Sequence, residues 1–156
     1  MIYLSDFKGD WESIRAALPD LIVKYETEIN EAPKRLSLQG KTGAQALKEQ
    51  CSWPVHYGML KAEITKLLRY LDNRINSVRG ALTRRYIETY SRDLGEKARE
   101  RYIDNEADYM RLYELYIEVE ELKDKLATIC DAFDRRGFAL RDWTALKVNE
   151  LTDLTI

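Results

Sequence analysis

Between Val78 and Ser91 the chain reads VRGALTRRYIETYS, and these residues are the ones best suited to hold a flexible polyanion. Arg79, Arg84 and Arg85 bring guanidinium groups together within a few turns of a predicted helix. Tyr86 and Tyr90 stand four residues apart and share a face. Cations neutralise phosphates and flat rings stack on bases, so Arg79, Arg84, Arg85, Tyr86 and Tyr90 are the candidate DNA-binding residues. The same arginines could instead pair with an acidic helix, and the tyrosines could pack inward. Lys61, Lys66, Arg69 and Arg74 extend the basic flank as weaker candidates.

Other chemistries find less support. The lone histidine, His56, has no carboxylate or cysteine at a meaningful spacing, so a catalytic Ser/His/Asp or Cys/His set is not expected. A carboxylate-bridged di-iron bundle needs two Glu-x-x-His pairs, which one histidine cannot supply. Gly40-Lys41-Thr42 would close a phosphate-binding P-loop only with glycine at position 35, which is arginine. Cys51 and Cys130 lie far apart without a CxxC and read as buried, reduced thiols of a cytosolic protein. We therefore expect no enzyme activity, no metal and no cofactor. No apolar run reaches about 18 residues and no secretory signal opens the chain, so no membrane role is expected.

The elements that must position these groups are helical. An apolar share of 45% supports a core, 33% charged residues suits helices with polar outer faces, and seven glycines with three prolines argue against a turn-rich β sandwich. Leu60, Ile64, Leu67, Leu71, Ile75, Val78 and Leu82 recur at spacings of three and four, close to a heptad seam. They predict one helix over 55–91, about 55 Å long, too long for a small core without a partner helix. The pattern resumes over 98–134 after Gly95, with Tyr102, Tyr109, Tyr113 and Tyr116 as packing residues. Residues 55–101 carry eleven Lys/Arg against six Asp/Glu, and residues 102–134 carry three against ten. Two antiparallel arms of opposite charge follow naturally.

The predicted fold is all-α: a single domain whose elongated hairpin occupies 55–134. Residues 1–54 supply short helices, divided at Pro19 and ended by Pro33, followed by a loop over 34–53 with room for a short helix around Ala44–Gln50. Ser52 and Pro54 start the first arm and Gly137 ends the second. Residues 135–156 then form an amphipathic docking helix, with Phe138, Leu140, Trp143 and Leu146 as the oligomerisation residues.

Residues 129–148, ICDAFDRRGFALRDWTALKV, resemble the C-terminal signature of the phage UvsY-type recombination mediators. In that family a long helix leads into an Arg-Gly-Phe turn and a basic, aromatic helix, matched here by Arg136, Gly137, Phe138, Leu140, Arg141 and Trp143. Leu82, Thr83, Arg84, Arg85, Tyr86, Tyr90 and Ser91 follow the order of the family's basic-aromatic run, with Thr83 where its first lysine usually stands. Residues 18–29, LPDLIVKYETEI, are similar to its N-terminal helix, and residues 31–55 have no counterpart.

The resemblance implies a non-enzymatic accessory protein of DNA recombination, repair and replication in the bacterial cytoplasm. Its implied partners are single-stranded DNA, a RecA-like recombinase and the single-strand-binding protein that it helps displace. It implies a ring-like homo-oligomer, hexameric or heptameric, in which repetition multiplies a weak contact. The competing expectation is a helical oligomerisation protein with no nucleic-acid role.

Overall fold

The computed structural model describes residues 11–89 and 95–153, with side chains described through Glu150. These residues form four helices and no strand: α1 (Trp11–Leu36), α2 (Gly43–Thr89), α3 (Glu96–Asp104) and α4 (Ala107–Asp153). The long helices α2 and α4 pack together, so the all-α class and the pairing of two long arms both stand.

The helices run further than the local breakers suggest. In place of short N-terminal helices divided at Pro19, α1 is one helix of 26 residues that carries on for a turn beyond Pro33. Proline inside a helix costs about 3 kcal/mol. Leu18 and Leu21 are buried on either side of Pro19, and each contributes about 1.5–3 kcal/mol, enough to hold the helix through it. Pro54 likewise sits inside α2 rather than at its start, because that helix begins at Gly43. The predicted loop over 34–53 shrinks to residues 37–42. Gly40 turns it with φ +72, a conformation that glycine adopts without strain.

Thr42, the last residue of the Gly-Lys-Thr stretch, caps the start of α2. The Gln45 amide donates to Thr42 Oγ1 at 3.3 Å, and Gln45 Oε1 accepts from the Thr42 amide at 2.9 Å. This reciprocal capping box satisfies two amides that the first turn leaves without partners.

The second arm also differs from the expectation. It breaks once, at Asn105–Glu106, and then runs through Gly137 to Asp153 without a separate docking helix. Gly137 lies where an added Cβ would come within 3.0 Å of Gln50 Nε2. Its role is close approach to α2, not helix termination.

The chain divides into two compact units. One combines Glu63–Leu122 with the described part of Met1–Ile22. Its core takes Ile14, Leu18 and Leu21 from α1, Ile64, Leu67, Leu71 and Ile75 from α2, and Val119 and Leu122 from α4. The α3–α4 break adds Ile103 and Tyr109, which cluster with Ile75 and are covered by Val78, Leu82, Tyr86, Leu112 and Tyr116. The other unit combines Val23–Ala62 with the described part of Lys123–Ile156. Tyr25, Tyr57, Leu126 and Phe133 are buried there, and the Tyr57 and Phe133 rings stack with centroids 5.3 Å apart.

Candidate nucleic-acid interface

The buried seam of α2 turns its inner face into the core and leaves Arg84 and Arg85 exposed. Gly80 is exposed too, with nothing within 4 Å of where its Cβ would stand. Ser77, Ala81, Arg84, Arg85 and Thr89 border a shallow hollow together with Glu88. Small residues beside two guanidinium groups allow a chain of phosphates to approach the helix closely.

The break between α3 and α4 brings carboxylates to these arginines. Arg79 Nη2 lies 3.7 Å from Glu100 Oε1, and Arg85 Nη1 lies 3.9 Å from Glu106 Oε1. Both contacts are long and largely solvated, a class worth about 0–1 kcal/mol. Among the described residues Arg84 has no ion-pair or hydrogen-bond partner.

Tyr86 occupies the inner side of the same turn. Its hydroxyl donates to Glu106 Oε1 at 2.6 Å, and its ring stacks on Tyr102 with centroids 5.9 Å apart. Of the two roles open to it, Tyr86 thus takes the packed one, with one face covered by Tyr102. Tyr90 lies outside the described residues. Tyr102 and Tyr113 are half exposed, although their spacing suggested packing. The contacts of Tyr102, Glu100 and Glu106 with α2 are not legible in the sequence, because only the interruption at Asn105–Glu106 sets α3 beside α2. The Asn105 side chain, donating to the Arg101 carbonyl at 2.7 Å, marks that break.

In the other unit, the residues matching the Arg-Gly-Phe signature form a lock between α2 and α4. Arg136 is buried and donates to Gln50 Oε1 at 3.1 Å and to Glu49 Oε2 at 3.2 Å. Gln50 in turn donates to the Phe133 carbonyl at 2.7 Å. Lys41 closes the set with a 2.6 Å bond to Glu49 Oε2, which holds that carboxyl below its ordinary value against the opposing effect of burial.

The face expected to drive assembly splits. Phe138, Trp143 and Leu146 are 59%, 47% and 63% exposed, whereas Leu140 is 5% exposed and belongs to this unit's own core. The Leu140 assignment is thus corrected: burial inside the fold leaves it no surface to dock with. The Trp143 ring also covers Gly43, where a Cβ would meet it at 2.8 Å.

His56 is part of a second, partly buried polar set. Its Nε2 lies 2.8 Å from Glu28 Oε2, the oxygen that also accepts from Arg35. Arg35 donates to the Tyr57 hydroxyl at 3.0 Å and lies 4.3 Å from the centre of the Trp53 ring. Tyr57 donates to the Glu28 carbonyl at 2.8 Å. Burial disfavours the Glu28 carboxylate, but the bonds and charges of His56 and Arg35 outweigh it and lower its pKa. This set anchors α1 to α2.

Cys51 is exposed, contrary to the expectation of two buried thiols, while partial burial raises the pKa of Cys130. Among the described residues no group of three His, Cys, Asp or Glu side chains could hold a metal ion, and no helix is long and apolar enough to cross a membrane. The chain matches no family model, no curated protein and no solved structure.

Proposed function

We propose that this protein binds single-stranded DNA without base specificity, as a non-enzymatic recombination mediator. The observation that carries this reading is the solvated edge of α2, where Arg84 has no partner among the described residues and Arg79 and Arg85 are held only by long contacts. Exchange of such weak carboxylate contacts for phosphates is energetically easy, and release of counterions then drives binding. Tyr102, half exposed against Tyr86, offers a ring edge beside those charges.

In this reading the protein helps a RecA-like recombinase load onto DNA covered by single-strand-binding protein, in phage recombination and repair within the host cytoplasm. That part rests on the resemblance of residues 78–148 to the UvsY-type mediators. So does a ring-like homo-oligomer, for which exposed Phe138, Trp143 and Leu146 supply an apolar face on α4. The same face favours the second reading, a helical oligomerisation protein with no nucleic-acid role.

Anisotropy of a labelled oligonucleotide across a salt series tests the proposal. Affinity falls steeply with salt if it holds, and absence of binding at low salt would refute it. Arg84→Ala with Arg85→Ala is expected to weaken binding and flatten the slope by about 0.7 per lost phosphate contact while leaving the oligomer intact. If the double variant falls apart into monomers, those arginines are interface residues.

A further inference from the structure

A second basic-aromatic feature lies in the unit that combines Glu63–Leu122 with the described part of Met1–Ile22. A cavity of about 280 Å³ opens among α1, α2 and α4, lined by Trp11, Arg15, Arg74, Asp108 and Arg111. Val78 and Leu112 form its apolar wall. Three helices each contribute a guanidinium group, and the spacing is helical: Trp11 and Arg15 lie a turn apart on α1, as do Arg74 and Val78 on α2.

The arginines in this cavity are poorly neutralised. Arg15 is 4.0 Å from Glu12 in an exposed contact. Arg74 and Arg111 have no ion-pair partner among the described residues. Asp108, the one carboxylate in the lining, pairs with none of the three. Arg74 lies over the Trp11 indole, 5.8 Å from the ring centre, and its Nε is buried with no acceptor among the described residues. Three guanidinium groups beside an indole, unpaired with the one carboxylate of the lining among the described residues, suit an anion that also carries a flat ring.

We infer that this cavity seats one nucleotide unit of a bound single strand, with Trp11 against the base and Arg15, Arg74 and Arg111 around the phosphate. This rests on the strand-binding reading and adds a second contact point to it. The volume supports a single unit, since it sits just under the range of about 300–1,000 Å³ typical of small-ligand sites. An acidic peptide would use the guanidinium groups but leave the indole idle, whereas a nucleotide engages both.

Two measurements on the full chain test this. Trp fluorescence is titrated with an oligodeoxythymidylate, with thymidine monophosphate and with poly-glutamate, comparing wild type and Trp11→Phe. Strand affinity is followed by anisotropy for Arg111→Ala, an exposed position, and for Arg74→Lys, which keeps the charge. The inference expects quenching by the oligonucleotide that shrinks in Trp11→Phe. It also expects about tenfold weaker strand binding in Arg111→Ala, with a salt slope lower by about 0.7. Strand binding that is unchanged in Trp11→Phe and Arg111→Ala would overturn the inference and leave the α2 reading standing. Failure of wild type to bind any strand would overturn that reading itself, and quenching by thymidine monophosphate alone would then make the cavity a mononucleotide site. Equal quenching by poly-glutamate would overturn the assignment to nucleotides.

Discussion

Tyr86 donates a 2.6 Å hydrogen bond to Glu106 Oε1, and the same oxygen lies 3.9 Å from Arg85 Nη1. One carboxylate thus serves the packed ring on the inner side of α2 and the exposed cation on its outer side. Glu106 holds this position because α3 ends at Asp104 and the Met110 amide donates to the Glu106 carbonyl at 2.9 Å, starting α4.

If Glu106 competes with phosphates for Arg85, Glu106→Gln relieves that competition and keeps an acceptor for Tyr86. Oligonucleotide affinity at low salt is then expected to rise by up to about fivefold, the worth of one surface ion pair. The gain should vanish at high salt, where screening removes it. Anisotropy titrations at two salt concentrations check this, and an unchanged or weakened affinity at low salt would remove Glu106 as a competitor.

The Gly137–Gln50 contact has an expected thermodynamic signature. Alanine in place of glycine inside an exposed helix ordinarily gains about 1 kcal/mol. Here the new Cβ meets a Gln50 amide already bonded to the Phe133 carbonyl and to Arg136, so the amide cannot easily move aside. Gly137→Ala is expected to lose that gain, and Gln50→Ala is expected to restore part of it in the double variant. Urea unfolding of the four-member cycle measures the coupling, and strict additivity would refute the contact as the cause.

Stability should depend on pH through Glu28. Its folded pKa is lowered below the ordinary value of 4.5, so the carboxylate's contribution is fully present above that value and is lost as pH falls through the folded pKa. The melting temperature of wild type should therefore decline on acidification below about pH 4.5, and Glu28→Gln should flatten that decline. Near neutral pH the variant is expected to cost about 2 kcal/mol, as the Arg35 cation and His56 lose their anionic acceptor. An acid limb of the same steepness in both proteins would place the dependence elsewhere.

Assembly is better tested by point changes than by truncation. Cutting the chain at Gly137 would remove buried Leu140 and expose the core, confounding unfolding with loss of association. Phe138→Glu with Leu146→Glu changes two exposed positions on α4 and should shift solution mass towards smaller species while leaving the helical circular dichroism intact. An unchanged mass would remove this face from any interface.

The helical class, the α2 seam and the basic character of Arg84 and Arg85 were legible in the sequence, because periodicity and charge order are local. Leu60, Ile64, Leu67, Leu71 and Ile75 are buried as their spacing implies. Local breakers do not mark the helix ends: Pro19, Pro54 and Gly137 all lie inside helices, since burial and interhelical bonds outweigh a local penalty of a few kcal/mol. The Thr42–Gln45 capping box is legible as a local spacing, since both of its bonds join residues three apart. What only tertiary structure decided is the company each charge and ring keeps. Tyr86 is tied to Tyr102 and Glu106, Arg136 to Gln50 and Glu49, and His56 to Glu28, all across separations that no local pattern encodes. The chain's own order set which residues could do chemistry; packing between helices set which of them are left free to do it.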